Sequence, residues 1–132
     1  MQGEDFKSNR HSCYNLKYHL VVVSKYRKPV ITDEIFNSIK IIADDIFVAK
    51  NKCHVLCINH GIDHVHILFE APPQIKLSVL VNSFKTVSSR LIRRDYNDFL
   101  STYFWTESYY IGSVGDITTQ ITQLYIENQK TE

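Results

Sequence analysis

Two histidines one residue apart, His64 and His66, lie in the apolar, β-branched run Asp63-His64-Val65-His66-Ile67-Leu68-Phe69. In a strand, side chains alternate between faces, so both imidazoles project to one side and Val65 and Ile67 to the other. Their Cα atoms are then roughly 7 Å apart, which lets both rings converge on one metal ion. Near the C-terminus Tyr125 and Gln129 are four residues apart, a spacing that stacks them on one helix face together with Ile121. A tyrosine phenolate is a nucleophile, but a free pKa of about 10 keeps the phenol protonated at neutral pH, so it needs help. In phosphoryl chemistry that help is a divalent cation, which polarises the phosphate and offsets developing charge. Two imidazoles and one amide oxygen leave positions for phosphate oxygens and water, a donor set suited to Mg²⁺ or Mn²⁺.

Simpler explanations compete at each place. A strand can carry a His-x-His triplet by chance, and Tyr125 at helical spacing can be core packing. Zinc held by Cys53, Cys57, His60, His64 and His66 is a rival. Two cysteines four apart in one strand stand about 13 Å from each other, however, and zinc requires each sulfur within about 2.3 Å.

The elements that must position these residues follow from periodicity. Alternation predicts a strand over 14–23, closed by the basic turn Lys25-Tyr26-Arg27-Lys28-Pro29. Thr32 is a candidate N-cap for a helix over 33–50, with Asp33 and Glu34 in its first turn and Ile35, Ile39, Ile42 and Ile46 at helical spacing. Strands over 53–58 and 62–70 flank the turn Asn59-His60-Gly61 and form a hairpin, which Pro72-Pro73 ends. A second long helix is expected over 77–96, a bent strand over 103–114, and a short tyrosine-bearing helix over 118–129. The order β-α-β-β-α-β is the split βαβ, ferredoxin-like pattern of an α+β fold: an antiparallel sheet with two long helices on one face. It puts Val65, Ile67 and Phe69 under the helices and His64, His66 and Leu68 on the open face.

The chain of 132 residues suits a single domain over 1–132. No apolar run reaches the roughly 20 residues of a membrane span, and the N-terminus has no signal-peptide core, so a cytoplasmic protein without a membrane partner is expected. Three cysteines make no disulfide framework. The net charge of +1 announces no nucleic-acid binder, yet the 76–94 stretch carries five basic residues and no acidic one. A near-neutral protein can still present a basic face.

Taken together, these stretches resemble a known family. Asp63-His64-Val65-His66 resembles the H-U-H motif, and Tyr125-Ile126-Glu127-Asn128-Gln129 is similar to the single-tyrosine helix of transposases of the IS-200/IS-605 insertion-sequence family. Tyr18-His19-Leu20-Val21-Val22-Val23-Ser24-Lys25-Tyr26-Arg27, Phe84-Lys85-Thr86-Val87-Ser88-Ser89-Arg90 and Gly112-Ser113-Val114-Gly115 extend the likeness over nearly the whole chain in the same order. The resemblance implies a homodimer acting on single-stranded DNA that carries hairpins near the element ends. It implies that His64, His66 and Gln129 hold the metal. Tyr125 would attack a DNA phosphate, giving a 5′-phosphotyrosine link and a free 3′-OH. The 112–116 segment could serve as the hinge of a tyrosine helix that completes a partner's site.

For phosphate contact the candidates are Lys85, Arg90, Arg93 and Arg94 on the second helix, with Lys25, Arg27 and Lys28 in the first turn. Tyr103, Trp105, Tyr109 and Tyr110 are candidates for stacking on bases, or for core and interface packing. Three other readings stay open: an H-U-H replication initiator or relaxase, which often carries a third metal-binding histidine not identified in this sequence; a non-catalytic nucleic-acid-binding module; and a small metal-binding regulatory domain.

Overall fold

The computed structural model describes residues 7–8, 13–96, 103–114 and 126–127. Strands β1 (Lys7–Ser8) and β2 (Cys13–Tyr14) pair with each other. The main sheet holds β3 (Lys17–Val23), β4 (His54–His60), β5 (His64–Glu70) and β6 (Tyr110–Ser113). Its order is β4-β5-β3-β6, and every neighbouring pair is antiparallel. Helices α1 (Asp33–Ala43) and α2 (Leu77–Asp95) complete the split βαβ, ferredoxin-like arrangement expected from the element order. The strand bearing His64 and His66 is central, between β4 and β3.

One face of the sheet carries the main core. Leu20 and Val22 of β3 and Val65, Ile67 and Phe69 of β5 are fully buried there with Ile35, Ile39, Leu80, Val81 and Phe84. Phe47 meets Phe69 and Phe84 edge-on, with ring centroids 4.9 and 5.6 Å away. The Thr32 side chain accepts a hydrogen bond from the Ile35 amide at 3.2 Å, the cap expected from its type and place.

Three elements depart from their expected form. The helix expected over 33–50 is α-helical only to Ala43 and continues as a π-helix over Asp44–Lys50. Ile46 and Phe47 of this segment are both buried and continue the core-facing stripe of Ile39, Ile42 and Ala43. The strand expected over 14–23 is interrupted: Tyr14 belongs to β2, and β3 begins at Lys17. In 103–114 only Tyr110–Ser113 forms a strand, while Trp105 makes an isolated antiparallel bridge to Ser24 at the end of β3.

The reason for the third departure is a set of polar side chains on α2 that hold the preceding segment. Ser89 Oγ accepts from the Phe104 amide at 3.0 Å, and Ser88 Oγ accepts from Trp105 Nε1 at 2.9 Å. Lys85 Nζ donates to the carbonyls of Thr106 and Glu107, both at 2.7 Å. The backbone pairs with the end of β3 only briefly, the Thr106 amide donating to the Val23 carbonyl and the Lys25 amide to the Phe104 carbonyl, and the α2 side chains hold the groups beside that bridge.

The expected break at Gly115-Asp116 and most of the 118–129 helix lie outside the described residues. Ile126 and Glu127 are helical. None of the described helices is long and apolar enough to cross a membrane.

Candidate metal and nucleophile site

The open face of the sheet is built by register. Val21 of β3 stands opposite His66, Val23 opposite His64, and His19 opposite Leu68. Asn59 of β4 pairs with His66 from the other side, and Tyr110 of β6 pairs with Val21. His19, Val21 and Val23 therefore share a face with His64 and His66, as alternation requires.

Val21 and Val23 are nonetheless fully buried, because Ile126 packs on them with Tyr110 at its side. The Val21-Val22-Val23 run is thus covered on both faces at once, the reading a continuous apolar run carries in a central strand. Ile126 immediately follows Tyr125 in the chain. Tyr125 and Gln129 themselves lie outside the described residues.

The two imidazole rings are nearly parallel, at 23°, with centroids 6.0 Å apart. His64 Nδ1 donates to Asp63 Oδ1 at 2.9 Å, while Arg27 Nε donates to the other carboxylate oxygen at 2.8 Å. Burial pushes the Asp63 carboxyl up, but the hydrogen bonds from His64 and Arg27, with the Arg27 charge, outweigh it and hold Asp63 below the usual carboxylate range. A depressed folded value means that this carboxylate stabilises the fold at neutral pH and loses that contribution as pH falls through it. Burial lowers the basicity of His66, and the neighbouring His19, His64 and His60 lower it further. At neutral pH His66 is therefore a neutral imidazole with a lone pair to offer.

Local backbone geometry aims Arg27 at Asp63. Tyr26 and Arg27 both occupy the left-handed region, at φ 60° and 53°. For residues with a Cβ that costs roughly 1–2 kcal/mol each. Buried Ser24 braces the turn: its hydroxyl donates to the Lys28 carbonyl at 2.7 Å, and its amide donates to the Asp63 carbonyl at 2.9 Å.

Gly61 keeps room for the His64 ring. A Cβ there would come within 2.4 Å of His64 Cε1. Gly61→Ala should leave the fold intact, since a ring can swing away where backbone cannot, yet displace His64. On the expectation that the histidine pair holds a cation, Mn²⁺ affinity should be at least about tenfold weaker, read by titration, with an unchanged far-ultraviolet circular dichroism spectrum.

The remaining candidates divide clearly. Arg90 and Arg93 line a groove of about 390 Å³ between α2 and the 103–107 segment, with exposed Tyr103 at its rim. Lys25 and Lys28 flank the exposed Tyr26 ring, 5.4 and 5.9 Å from its centroid. Lys85 and Arg27 are committed inside the fold by the bonds already described, and Arg94 pairs with Asp95 at 2.8 Å. Trp105 belongs to the core. Tyr109 and Tyr110 are half-buried.

His60 turns to the helix side, its ring 4.1 Å from that of Phe36. Cys53 is buried and Cys57 exposed, and burial pushes the Cys53 thiol up to about 11. Among the described residues no three His, Cys, Asp or Glu side chains form a metal cluster. The sequence offered no third histidine beside the pair, but the fold supplies one: His19 Nε2 lies 3.4 Å from His66 Nδ1.

Comparison with known proteins agrees with this architecture. The family model described as "Transposase IS200 like" matches residues 12–129. The transposase for insertion sequence element IS200 of Salmonella typhimurium is 33% identical over 132 residues, covering 97% of this chain and 86% of that protein. The ISDra2 transposase TnpA of Deinococcus radiodurans is 33% identical over 129 residues, covering 95% of this chain and 91% of its own.

Among solved structures, a Deinococcus radiodurans R1 protein assigned as a transposase superposes with a TM-score of 0.87 at 30% identity, covering 96% of this chain and 99% of that one. A REP-associated tyrosine transposase bound to a REP hairpin shares the fold, with a TM-score of 0.62 at 8% identity over 92% of this chain and 68% of that one. A split βαβ sheet with paired histidines on its open face, a family match along nearly the whole chain and relatives covered over most of their length lead to one conclusion: this chain belongs to the IS200-like transposase family.

Proposed function

We propose that this transposase cleaves and rejoins single-stranded DNA at insertion-sequence ends through a covalent 5′-phosphotyrosine intermediate on Tyr125. The observation that carries the reading is the seat of Ile126. The residue next to Tyr125 is buried on Val21 and Val23, directly opposite His66 and His64 in the β3–β5 register. This favours a tyrosine delivered to the histidines of its own chain.

His64 and His66 would hold a divalent cation, Mg²⁺ or Mn²⁺, with Gln129 as the oxygen donor. The donor types fit, imidazole nitrogen and amide oxygen, with Asp63 bonded to His64 as an orienting carboxylate. When bound, such a cation supplies Lewis-acid polarisation of the phosphate.

The protein's own groups do the rest. The Tyr125 oxygen forms a bond to the phosphorus of the scissile phosphodiester, and the bond to the 3′ oxygen of the preceding nucleotide breaks. The Tyr125 phenol gives up its proton and the departing 3′ oxygen gains one. The energy of the phosphodiester is kept in the tyrosine ester, so a second 3′-OH can reverse the step and join a new strand.

DNA backbone contact is assigned to Arg90 and Arg93 in the α2 groove and to Lys25 and Lys28 beside Tyr26. A homodimer follows from the family resemblance, and β4, an edge strand of the described sheet, leaves a surface for a second copy.

The test is a labelled single strand carrying the element's end hairpin, incubated with protein and Mg²⁺ or Mn²⁺ and run on a denaturing gel. A metal-dependent protein–DNA band is expected. Hairpin binding without that band would instead indicate a non-catalytic module.

A further inference from the structure

Both histidines of the pair have their Nδ1 atoms facing a partner. For His64 the partner is Asp63 Oδ1 at 2.9 Å. For His66 it is His19 Nε2 at 3.4 Å, with the two rings edge-to-face at 79° and centroids 5.3 Å apart. A neutral imidazole carries one proton, and whichever nitrogen holds it cannot bind a metal. A partner at Nδ1 therefore decides which nitrogen is left to bind.

We infer that His19 is a positioning residue: it accepts the Nδ1–H of His66, as Asp63 accepts that of His64, so that both Nε2 atoms are presented to one ion. The inference rests on the metal site proposed above. Because His19 Nε2 must be the acceptor, His19 carries its own proton on Nδ1.

The two devices differ in strength. Asp63 is an ionised acceptor, held in turn by Arg27. Its bond to His64 is charge-assisted and short. The His19 contact joins two neutral rings at the long end of hydrogen-bond distances. Its contribution is direction rather than energy: it fixes a tautomer and a ring angle. His19 is lodged in β3, a central strand paired on both sides, so its Cβ is held by two ladders. Burial lowers its basicity.

Three variants and one spectroscopic measurement test this. His19→Phe keeps an aromatic ring and removes the acceptor, and it should weaken Mn²⁺ binding roughly 10- to 100-fold, read by electron paramagnetic resonance titration of free Mn²⁺. His19→Gln places an amide oxygen near the lost nitrogen and should return most of that affinity. In the unsubstituted protein saturated with Mg²⁺, long-range proton–nitrogen NMR should find His66 protonated on Nδ1, which needs no variant to fold.

A His19→Phe protein that binds Mn²⁺ as the unsubstituted protein does, or a His66 protonated on Nε2, would overturn the inference. His64→Ala separates the two levels. If it too leaves Mn²⁺ binding unchanged, the metal site itself is wrong. If it abolishes binding while His19→Phe does not, only the role of His19 falls.

Discussion

Tyr125→Phe should abolish the covalent protein–DNA product while hairpin affinity stays within a factor of about two. The substitution removes one oxygen and keeps the ring, the smallest change that deletes the proposed nucleophile. The only atom lost is the one proposed to bond to phosphorus. Loss of a sole nucleophile removes the intermediate altogether, and strand cleavage should fall by on the order of a thousandfold or more. On the proposed reading binding is carried elsewhere, by Arg90 and Arg93 in the α2 groove and by Lys25 and Lys28 beside Tyr26. A gel-shift assay in parallel with the denaturing gel checks both halves. A variant that loses binding together with cleavage would mean that Tyr125 holds DNA rather than attacking it.

The second large effect is expected at the histidines. His64→Ala or His66→Ala removes one of the two proposed imidazole ligands, so Mn²⁺ affinity should fall by at least about a hundredfold, the upper end of what loss of an orienting partner alone causes. Cleavage should fall with it and be partly restored by excess metal. The two variants should differ in stability. His64→Ala leaves Asp63 without one of its two donors, though Arg27 still pairs with it. His66→Ala removes a ring that touches only other imidazoles among the contacts described, so its melting temperature should move less. Titration calorimetry with Mn²⁺ and thermal melts of both proteins provide the check. Metal-independent cleavage at an unchanged rate in either variant would remove the histidines from the ligand set.

The strand carrying the histidines was legible because its signal is local: period-two alternation of β-branched and histidine side chains in one short run. The hairpin, both long helices and their order around the sheet were legible for the same reason. His19 was not singled out, although alternation already put it on the same side of its strand as Val21. Its proximity to His66 depends on the β3–β5 register, a relation across 47 positions that no local pattern encodes.

The Arg27–Asp63 pair was hidden more deeply. It requires two consecutive left-handed residues at Tyr26 and Arg27, which neither residue type advertises. Lys85 is the instructive case among the basic residues. From the sequence it lies on a charged helix face, but its ammonium group binds the carbonyls of Thr106, Glu107 and Ser108 and so shapes the segment that runs over α2. Those carbonyls follow the single Ser24–Trp105 bridge, and the aromatic, β-prone stretch becomes a strand only at Tyr110. Charge and β-propensity were read correctly as local properties, and tertiary contacts decided what each was used for.

The most direct measurement is to isolate the covalent adduct formed in Mg²⁺ or Mn²⁺, digest it with nuclease and protease, and locate the residual nucleotide by mass spectrometry. The account predicts a nucleotide phosphate on the peptide containing Tyr125 and on no other tyrosine, present with metal and absent when the metal is chelated. A nucleotide on Tyr26, Tyr103 or Tyr110, or an adduct that forms equally well in chelator, would contradict it.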